Sequence, residues 1–223
     1  MAPDVDPMAA RPATLTWSLV VPVKVLAQAK SRLTGLAGQR RSDFALAMAA
    51  DTVAAAVAAD AVAAVLVVTD DPDVADVAAS LGAVVLPDAP ATGLNEALGC
   101  GAAYALDRWP ARGRAGLAGD LPAVKPGELT AALAMAARVG AAFVPDAEGT
   151  GTTLYAAPPG ARFEPRFGPA SRDRHLATGA VEIAIADLAG LRRDVDTVED
   201  LRLAAEIGLG PRTKALVAAG SWV

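Results

Sequence analysis

The sequence predicts an α/β protein in which a mostly parallel sheet lies between two layers of helices. Two observations support this prediction. Short, charge-free, β-branched runs, such as residues 63–69 (AAVLVVT), are typical of parallel strands that are buried on both faces. Longer alanine-rich segments separate these runs, and several begin at a proline, serine or threonine that favours the start of a helix.

The individual elements follow from the same signals. The expected strands are short and apolar, and they cover residues 17–23, 63–69, 83–86, 114–118, 141–144 and 181–185. The expected helices cover residues 42–59, 72–81, 95–106, 127–139, 171–178 and 198–207. Ser42, Pro72 and Thr197 mark three helix starts, because these residue types favour the capping position or the first turn.

Residues 146–169 interrupt the alternation, because they are rich in glycine, proline and threonine. Long loops in a compact domain are usually functional, so we interpret this stretch as a lid or as the second half of a site. No internal repeat or linker divides the chain, and one domain is expected for 223 residues. We predict a disordered tail at residues 1–14 and a single domain over residues 15–223.

The composition excludes several classes of protein. The only cysteine, Cys100, rules out an internal disulfide, and no uncharged apolar stretch reaches the ~18 residues of a membrane-spanning helix. A formal charge of -5 and a pI near 4.9 argue against a surface that binds nucleic acid. Residues 1–14 lack the basic-then-apolar order of a signal peptide, so we expect a cytoplasmic protein without membrane contact.

Three cations are a local exception to the acidic composition. Lys24, Lys30 and Arg32 follow the first expected strand, and no acid interrupts them before Asp43. The carboxyl end of such a strand is where open parallel sheets bind ligands. We therefore expect these three side chains to meet an anion.

Acids follow three of the expected strands. Asp70 and Asp71 follow one strand, Asp120 follows another, and Asp194 and Asp196 follow a late one. Strand ends gather along one edge of a parallel sheet, so Mg²⁺ could bind these carboxylates together with a substrate phosphate. We predict Asp120 and Asp196 as the ligands. Each acid could instead cap the following helix, and this alternative is strongest for Asp70 and Asp71.

Two later segments could also bind an anion. Residues 149–153 (GTGTT) could present backbone N–H groups and hydroxyls to it, or they could form a plain turn. Ser171 follows Gly168 closely and could open a helix whose N–H groups face the same ligand. The single histidine, His175, is either a surface residue or part of this site, and Cys100 is interpreted as a packing residue.

The sequence contains no nucleophile-elbow pattern, no Walker loop and no GxGxxG. A hydrolase or an oxidoreductase would need one of these or a similar signal. What remains is chemistry performed by a metal ion, cations and positioning, and phosphoryl or nucleotidyl transfer fits that description.

Six ordered motifs resemble the CofC/FbiD guanylyltransferases. They are VPVK-x5-KSRL near the start, GLNEAL at 93–98, GDLP at 119–122, GTGTTL at 149–154, FGPAS at 167–171 with His175, and DVDTVEDL at 194–201. The resemblance implies a Rossmann-like, three-layer fold of the GT-A, nucleotide-diphospho-sugar transferase type. Many broader relatives, which include the molybdenum-cofactor guanylyltransferases, begin with an LxGGxxxRxG-like loop. This chain lacks that loop, which favours the narrower family.

The resemblance also implies a reaction. GTP gives its GMP moiety to a small phosphorylated three-carbon acid, and pyrophosphate leaves, in the biosynthesis of coenzyme F420. The acceptor is phosphoenolpyruvate in the bacterial branch and 2-phospho-L-lactate in the archaeal branch. The alanine-rich composition, with arginine exceeding lysine, favours a bacterial source and therefore phosphoenolpyruvate.

The resemblance assigns roles to the candidate residues. The catalytic side chains, which would hold the triphosphate and the departing pyrophosphate, would be Lys24, Lys30 and Arg32. The residues along the nucleoside would be Gly93 and Asn95. The Mg²⁺ ligands would be Asp120 and Asp196. The groups that bind phosphoenolpyruvate would be Thr152 or Thr153, the N–H of Gly168, and Ser171.

Other functions remain open from the sequence. A molybdopterin or sugar-phosphate nucleotidyltransferase is the alternative enzyme, and a catalytically inactive nucleotide-binding module is the alternative without activity. The expected partners are the small molecules GTP and phosphoenolpyruvate, with neither nucleic acid nor membrane. A homodimer and a transient hand-off of the product to the next pathway enzyme are also considered.

Overall fold

The computed structural model describes residues 15–26, 38–88 and 92–220. The strands are β1 (Trp17–Pro22), β2 (Val62–Val68), β3 (Val84–Leu86), β4 (Gly113–Leu117), β5 (Ala142–Pro145), β6 (Thr152–Ala157) and β7 (Val181–Glu182). They form one sheet in the order β3-β2-β1-β4-β6-β5-β7. Only β6 runs antiparallel to its neighbours in this sheet, so the prediction of a mostly parallel sheet is confirmed.

Helices connect the strands and cover the sheet. Their bounds are α1 (Gly38–Val57), α2 (Pro72–Ser80), α3 (Leu94–Arg108), α4 (Pro126–Val139), α5 (Ser171–Ala177), α6 (Ala189–Arg192), α7 (Val198–Ile207) and α8 (Pro211–Ala218). None of the helices in the described part of the chain is long and apolar enough to cross a bilayer. Pro72 lies at the first position of α2 and Thr197 caps α7, as predicted.

The alternation of side chains along β1 shows why the strands are apolar throughout. Leu19 and Val21 belong to a core cluster that also contains Leu129 of α4, whereas Val20 packs in a second cluster with Leu98 of α3. Successive residues of a strand point to opposite faces of the sheet. Both faces are therefore covered by helices, which produces a continuous apolar strand rather than an alternating one.

Three details differ from the sequence prediction. The helix predicted to begin at Ser42 already begins at Gly38. Residues 152–157 were interpreted as part of a functional loop, but they form β6, and all six are buried between β4 and β5. Hydrogen bonds to β4 and β5 make this segment a strand, and these distant partners cannot be predicted from the local sequence. The short helices α6 and α8 were not predicted, and the tail predicted at residues 1–14 lies outside the described residues.

Gly113 faces Trp17 across the β1–β4 pairing, and a test of the core follows from this contact. A Cβ atom at Gly113 would overlap the buried indole ring of Trp17. We expect Gly113→Ala to lower the free energy of unfolding by about 1–3 kcal/mol, because overpacking displaces a ring that has no room to move. Chemical denaturation measures this difference.

Gly99→Ala is the matched control for that substitution. Gly99 lies on the exposed side of α3, and a Cβ atom there would have nothing within 4 Å. Alanine is the better helix former by about 1 kcal/mol, so the control should be neutral or stabilising. Equal stability of the two variants would show that Trp17 does not restrict this strand pair.

Candidate active site

A cleft of about 820 Å³ opens at the carboxyl ends of β1 and β4. The chain builds β1, β2 and β3 toward one edge and then places β4 on the other side of β1, so the strand order reverses between β1 and β4. Open α/β sheets bind ligands at such a switch point. Lys24, just beyond β1, and Asp120, just beyond β4, both line this cleft.

Lys24 is exposed within the cleft, where its ammonium group is available to an anion. The pKa of Asp88 is raised by burial and by the negative charge of Asp70, and the positive charge of Lys24 offsets part of this rise. Lys30 and Arg32, the other two cations predicted here, lie outside the described residues, so their positions stay predictions.

Asp71 anchors the segment that carries Lys24. One carboxylate oxygen accepts hydrogen bonds from the N–H groups of Asp73 and Val74 and so caps α2. The other accepts from the N–H of Leu26 at 2.9 Å. The helix-cap interpretation is confirmed for Asp71, and the same side chain fixes the backbone at the mouth of the cleft.

Four aspartates converge on the floor of the cleft. Asp120, Asp146, Asp194 and Asp196 all line it, and the N–H of Val195 donates to the backbone oxygen of Asp120 at 3.1 Å. The pKa of Asp194 is raised to about 7 by burial and by the negative charges of Asp120, Asp196 and Asp146. The structure therefore brings the two predicted metal ligands into one electrostatically coupled group with two further acids.

Two members of this group and the neighbouring Glu148 have the spacing of a metal site, and this set does not include the predicted ligands Asp120 and Asp196. Carboxylate oxygens of Asp146, Glu148 and Asp194 lie within 4.8 Å of one another, so these three residues could hold a metal ion. Glu148 is exposed, however, and already forms an ion pair with Arg193 at 2.6 Å. A metal ion would have to displace Arg193 from Glu148. Asp194 is more buried than Glu148 and is therefore the better metal ligand of the two.

Thr152 and Thr153 have different surroundings at the start of β6. Thr152 lines the cleft, whereas the hydroxyl of Thr153 donates to the backbone oxygen of Val144 at 3.5 Å. The β5–β6 register shifts at this point, with Thr152 opposite Pro145 and Leu154 opposite Val144, so Thr153 is skipped in the pairing and regular strand alternation does not apply. Thr152 is the threonine of this pair that lines the cleft, and its contact with a ligand stays a prediction.

Ser171 and Gly168 also line the cleft. Ser171 is only 1% exposed, and its hydroxyl has no hydrogen-bond partner among the described residues. Its N–H donates to the oxygen of Gly168 at 3.1 Å, and Gly168 has a φ of 109°, which favours glycine. An unpartnered buried hydroxyl at a cleft wall is a candidate ligand contact.

His175 packs in the interior behind Thr152. Its side chain is fully buried, so the surface interpretation is wrong. One ring nitrogen is 3.0 Å from the hydroxyl of Thr152, and the other accepts from the N–H of Arg166 at 2.8 Å. Burial lowers its pKa to about 4, so the ring is neutral at pH 7.

Asn95 forms a two-way bridge to the loop that precedes Ser171. Its amide nitrogen donates to the oxygen of Phe167 at 3.1 Å, and its amide oxygen accepts from the N–H of Phe167 at 2.8 Å. Asn95 thus fixes this loop against the start of α3, where Gly93 is the N-cap residue. Contact of Asn95 or Gly93 with a nucleoside stays a prediction.

Comparison with known families identifies the chain. Residues 17–215 match the family described as "Guanylyl transferase CofC like". The chain belongs to this family. The resemblance seen in the six sequence motifs is therefore confirmed.

Named relatives support the assignment to the CofC-like guanylyl transferases. The chain is 57% identical over 206 residues to a phosphoenolpyruvate guanylyltransferase from Thermomonospora curvata, which covers 92% of this chain and 90% of that protein. It is 52% identical over 209 residues to a protein of the same name from Streptomyces scabiei, with coverage of 92% and 97%.

Solved structures show that this CofC-like chain has the expected fold. A structure from Desulfovibrio desulfuricans G20, named after the nucleotide-diphospho-sugar transferases, superposes with a TM-score of 0.67 at 14% identity and covers 92% of this chain and 96% of that one. A cytidylyltransferase from Leptospira borgpetersenii has a TM-score of 0.55 at 12% identity, with coverage of 94% and 97%.

Some site residues of this CofC-like transferase were not found from its sequence. Asp146 begins a glycine-rich segment, which in the sequence indicates a turn and not a site. In the structure its carboxylate accepts hydrogen bonds from the N–H groups of Thr150 and Gly151 at 2.9 and 2.7 Å. The available signal was its position directly after β5, similar to that of Asp120 shortly after β4.

Proposed function

We propose that this protein transfers GMP from GTP to phosphoenolpyruvate with release of pyrophosphate. The observation that supports the proposal most directly is the composition of the cleft, which is lined by Lys24 and four aspartates at the switch point of a nucleotidyltransferase fold. The relatives from Thermomonospora curvata and Streptomyces scabiei carry the name of this activity.

The reaction needs no protein nucleophile. A phosphate oxygen of phosphoenolpyruvate attacks the α-phosphorus of GTP, and the bond from that phosphorus to the oxygen bridging the β-phosphate breaks. The oxygen leaves with pyrophosphate, and the product contains a new diphosphate linkage. Because a phosphate monoester has a second pKa near ~6, the attacking group is already ionised at pH 7. No general base is then required, which agrees with a chain whose single histidine is buried.

The main barrier is electrostatic repulsion between two anions. Two unit charges ~4 Å apart repel by about 4 kcal/mol at an effective dielectric constant of ~20. Lys24 supplies one positive charge in the cleft, and we assign Lys30 and Arg32 to the same triphosphate on the basis of their sequence. These cations would stabilise the charge that develops on the departing pyrophosphate.

The acidic group fits a divalent cation. Burial and the negative charges of Asp120, Asp196 and Asp146 raise the pKa of Asp194, and a bound cation would stabilise its ionised form. We propose Asp120 and Asp196 as Mg²⁺ ligands, with Asp194 beside them. When bound, Mg²⁺ would neutralise phosphate charge and bring the two substrates together.

Thr152, Gly168 and Ser171 would hold the acceptor. We assign its phosphate and carboxylate to the hydroxyls of Thr152 and Ser171 and to the N–H of Gly168, all from residues that line the cleft. Because GTP and phosphoenolpyruvate are cytoplasmic metabolites, the proposal places the reaction in the cytoplasm.

Parallel assays with two acceptors test the proposal. The protein is incubated with GTP and Mg²⁺ together with either phosphoenolpyruvate or 2-phospho-L-lactate, and pyrophosphate release is measured. We expect faster release with phosphoenolpyruvate. Because the product should be labile, the next enzyme of the pathway is added to trap it. Release with 2-phospho-L-lactate alone would refute the acceptor, and GTP binding without any release would refute the transferase.

A further inference from the structure

We propose that His175 is a positioning residue that fixes the hydroxyl of Thr152 as a hydrogen-bond donor into the cleft, toward an anionic oxygen of the acceptor. The inference rests on the proposed function, since it assumes that the acceptor occupies this part of the cleft. It assigns a role to a buried group that the transfer reaction does not otherwise use.

Aromatic packing holds the imidazole in one orientation. The ring of His175 stacks on Phe143 with a centroid distance of 5.3 Å and on Tyr155 with a distance of 4.8 Å. Phe167 contacts it edge-on at 5.8 Å. With rings on several sides and no exposure to solvent, His175 cannot rotate to exchange its two nitrogens without disturbing the core.

The backbone of Arg166 determines which ring nitrogen carries the proton. The N–H of Arg166 donates to Nε2 at 2.8 Å, and a nitrogen that accepts a hydrogen bond has no proton of its own. A neutral imidazole carries one N–H, which must then lie on Nδ1. Nδ1 is 3.0 Å from Oγ1 of Thr152, so the histidine donates and the threonine oxygen accepts.

The charges around the ring keep it neutral. Burial lowers the pKa of His175 to about 4 against a hydrogen bond to the Ser171 backbone, which raises it, and the positive charges of Arg174 and Arg166 lower it further. A doubly protonated ring would also direct its Nε2 proton against the N–H of Arg166. The arrangement of donor and acceptor is therefore maintained at pH 7.

Because the Thr152 oxygen accepts a hydrogen bond from His175, the hydroxyl proton of Thr152 points away from His175 and toward the cleft. Its oxygen already accepts from His175, and no acceptor for its proton is found among the described residues. Thr152 lines the cleft, so the proton is available to a ligand there. A donor at this place favours a carboxylate or phosphate oxygen, and it disfavours a ligand group that can only donate.

A spectroscopic test examines the proton arrangement without any assay of activity. The chain has a single histidine, so ¹⁵N-labelled histidine gives one imidazole to observe by NMR. We expect the neutral tautomer with the proton on Nδ1, unchanged between pH 8 and about 5.5, well above the lowered pKa of His175. A proton on Nε2, or an imidazolium at pH 6.5, would overturn the proposal.

A double-mutant cycle tests whether the effect passes through Thr152. His175→Phe preserves a stacked ring, and Thr152→Val preserves the shape of the strand. We expect each to raise KM for phosphoenolpyruvate by about 3- to 10-fold, with KM for GTP unchanged. The double variant should be no worse than Thr152→Val alone. Fully additive effects would show that His175 acts only through the packing of the core.

His175→Asn supplies the conservative control. Its amide N–H can occupy the place of Nδ1–H and donate to Thr152, so its KM for phosphoenolpyruvate should lie closer to that of the unmodified protein. Thermal unfolding of each variant separates loss of the fold from loss of binding. If the unmodified protein does not release pyrophosphate with phosphoenolpyruvate, the proposed function fails, whereas the tautomer spectrum still decides the role of His175.

Discussion

Asp120→Asn and Asp196→Asn should each reduce pyrophosphate release by at least about 100-fold, as expected for loss of charge stabilisation in a transferase site. Asparagine retains the size of aspartate but loses the negative charge that a divalent cation requires. Both residues belong to the group of acids in which the pKa of Asp194 is raised to about 7. Initial rates with saturating GTP and Mg²⁺ measure the effect.

Stability measurements distinguish a metal-binding role from a structural one. Removing a negative charge beside Asp194 relieves repulsion, so each variant should unfold at the same or a higher temperature than the unmodified protein without Mg²⁺. Asp60→Asn is the control, because Asp60 is exposed and lies before the amino end of β2, whereas the cleft lies at the carboxyl ends of the strands. Near-normal turnover of both cleft variants would remove Asp120 and Asp196 from the site.

Ser171→Ala should raise KM for phosphoenolpyruvate by about 10- to 100-fold and leave KM for GTP nearly unchanged. A hydrogen bond to a charged group contributes roughly 1.5–3 kcal/mol, which corresponds to this range. The Ser171 hydroxyl is buried at the cleft and has no partner among the described residues. Steady-state kinetics with each substrate varied in turn measure both constants.

Thr213→Val is the matched control for Ser171→Ala. Thr213 of α8 is also fully buried with an unpartnered hydroxyl, as judged within the described residues, but it does not line the cleft. Neither variant should lose stability, because neither removes a hydrogen bond of the free protein. An equal rise in KM for both substrates in Ser171→Ala would mean that the acceptor lies elsewhere.

The sequence predicted the parallel part of the fold because its strands are buried on both faces. Runs such as Val62–Val68 are apolar throughout and end at acids or prolines, so local composition reports the element directly. β6 escaped this signal. It begins with two threonines after a glycine-rich turn, and pairing with β4 and β5 makes it a strand.

The residues of the candidate site were likewise only partly predictable from the sequence. Lys24 and Asp120 could be predicted because residues just after parallel strands share one edge of the sheet, and both line the cleft. Asp196 also lines the cleft, but the reason given for it was wrong: Asp194 and Asp196 follow helix α6 and not a strand, because β7 already ends at Glu182. His175 could not be assigned, because Arg172, Asp173 and Arg174 before it suggest an exposed helix. Its burial depends on Phe143 and Tyr155, which are distant in sequence.

The sequence by itself determined the fold class, the family and the group of charges at the strand ends, since each depends on local pattern or on ordered motifs. Only the tertiary structure decided that Thr152 rather than Thr153 lines the cleft and that Asn95 and His175 form hydrogen bonds with the loop before Ser171. The physical reason is that these roles depend on hydrogen bonds between segments that are far apart along the chain. Such bonds form only when the sheet brings those segments together.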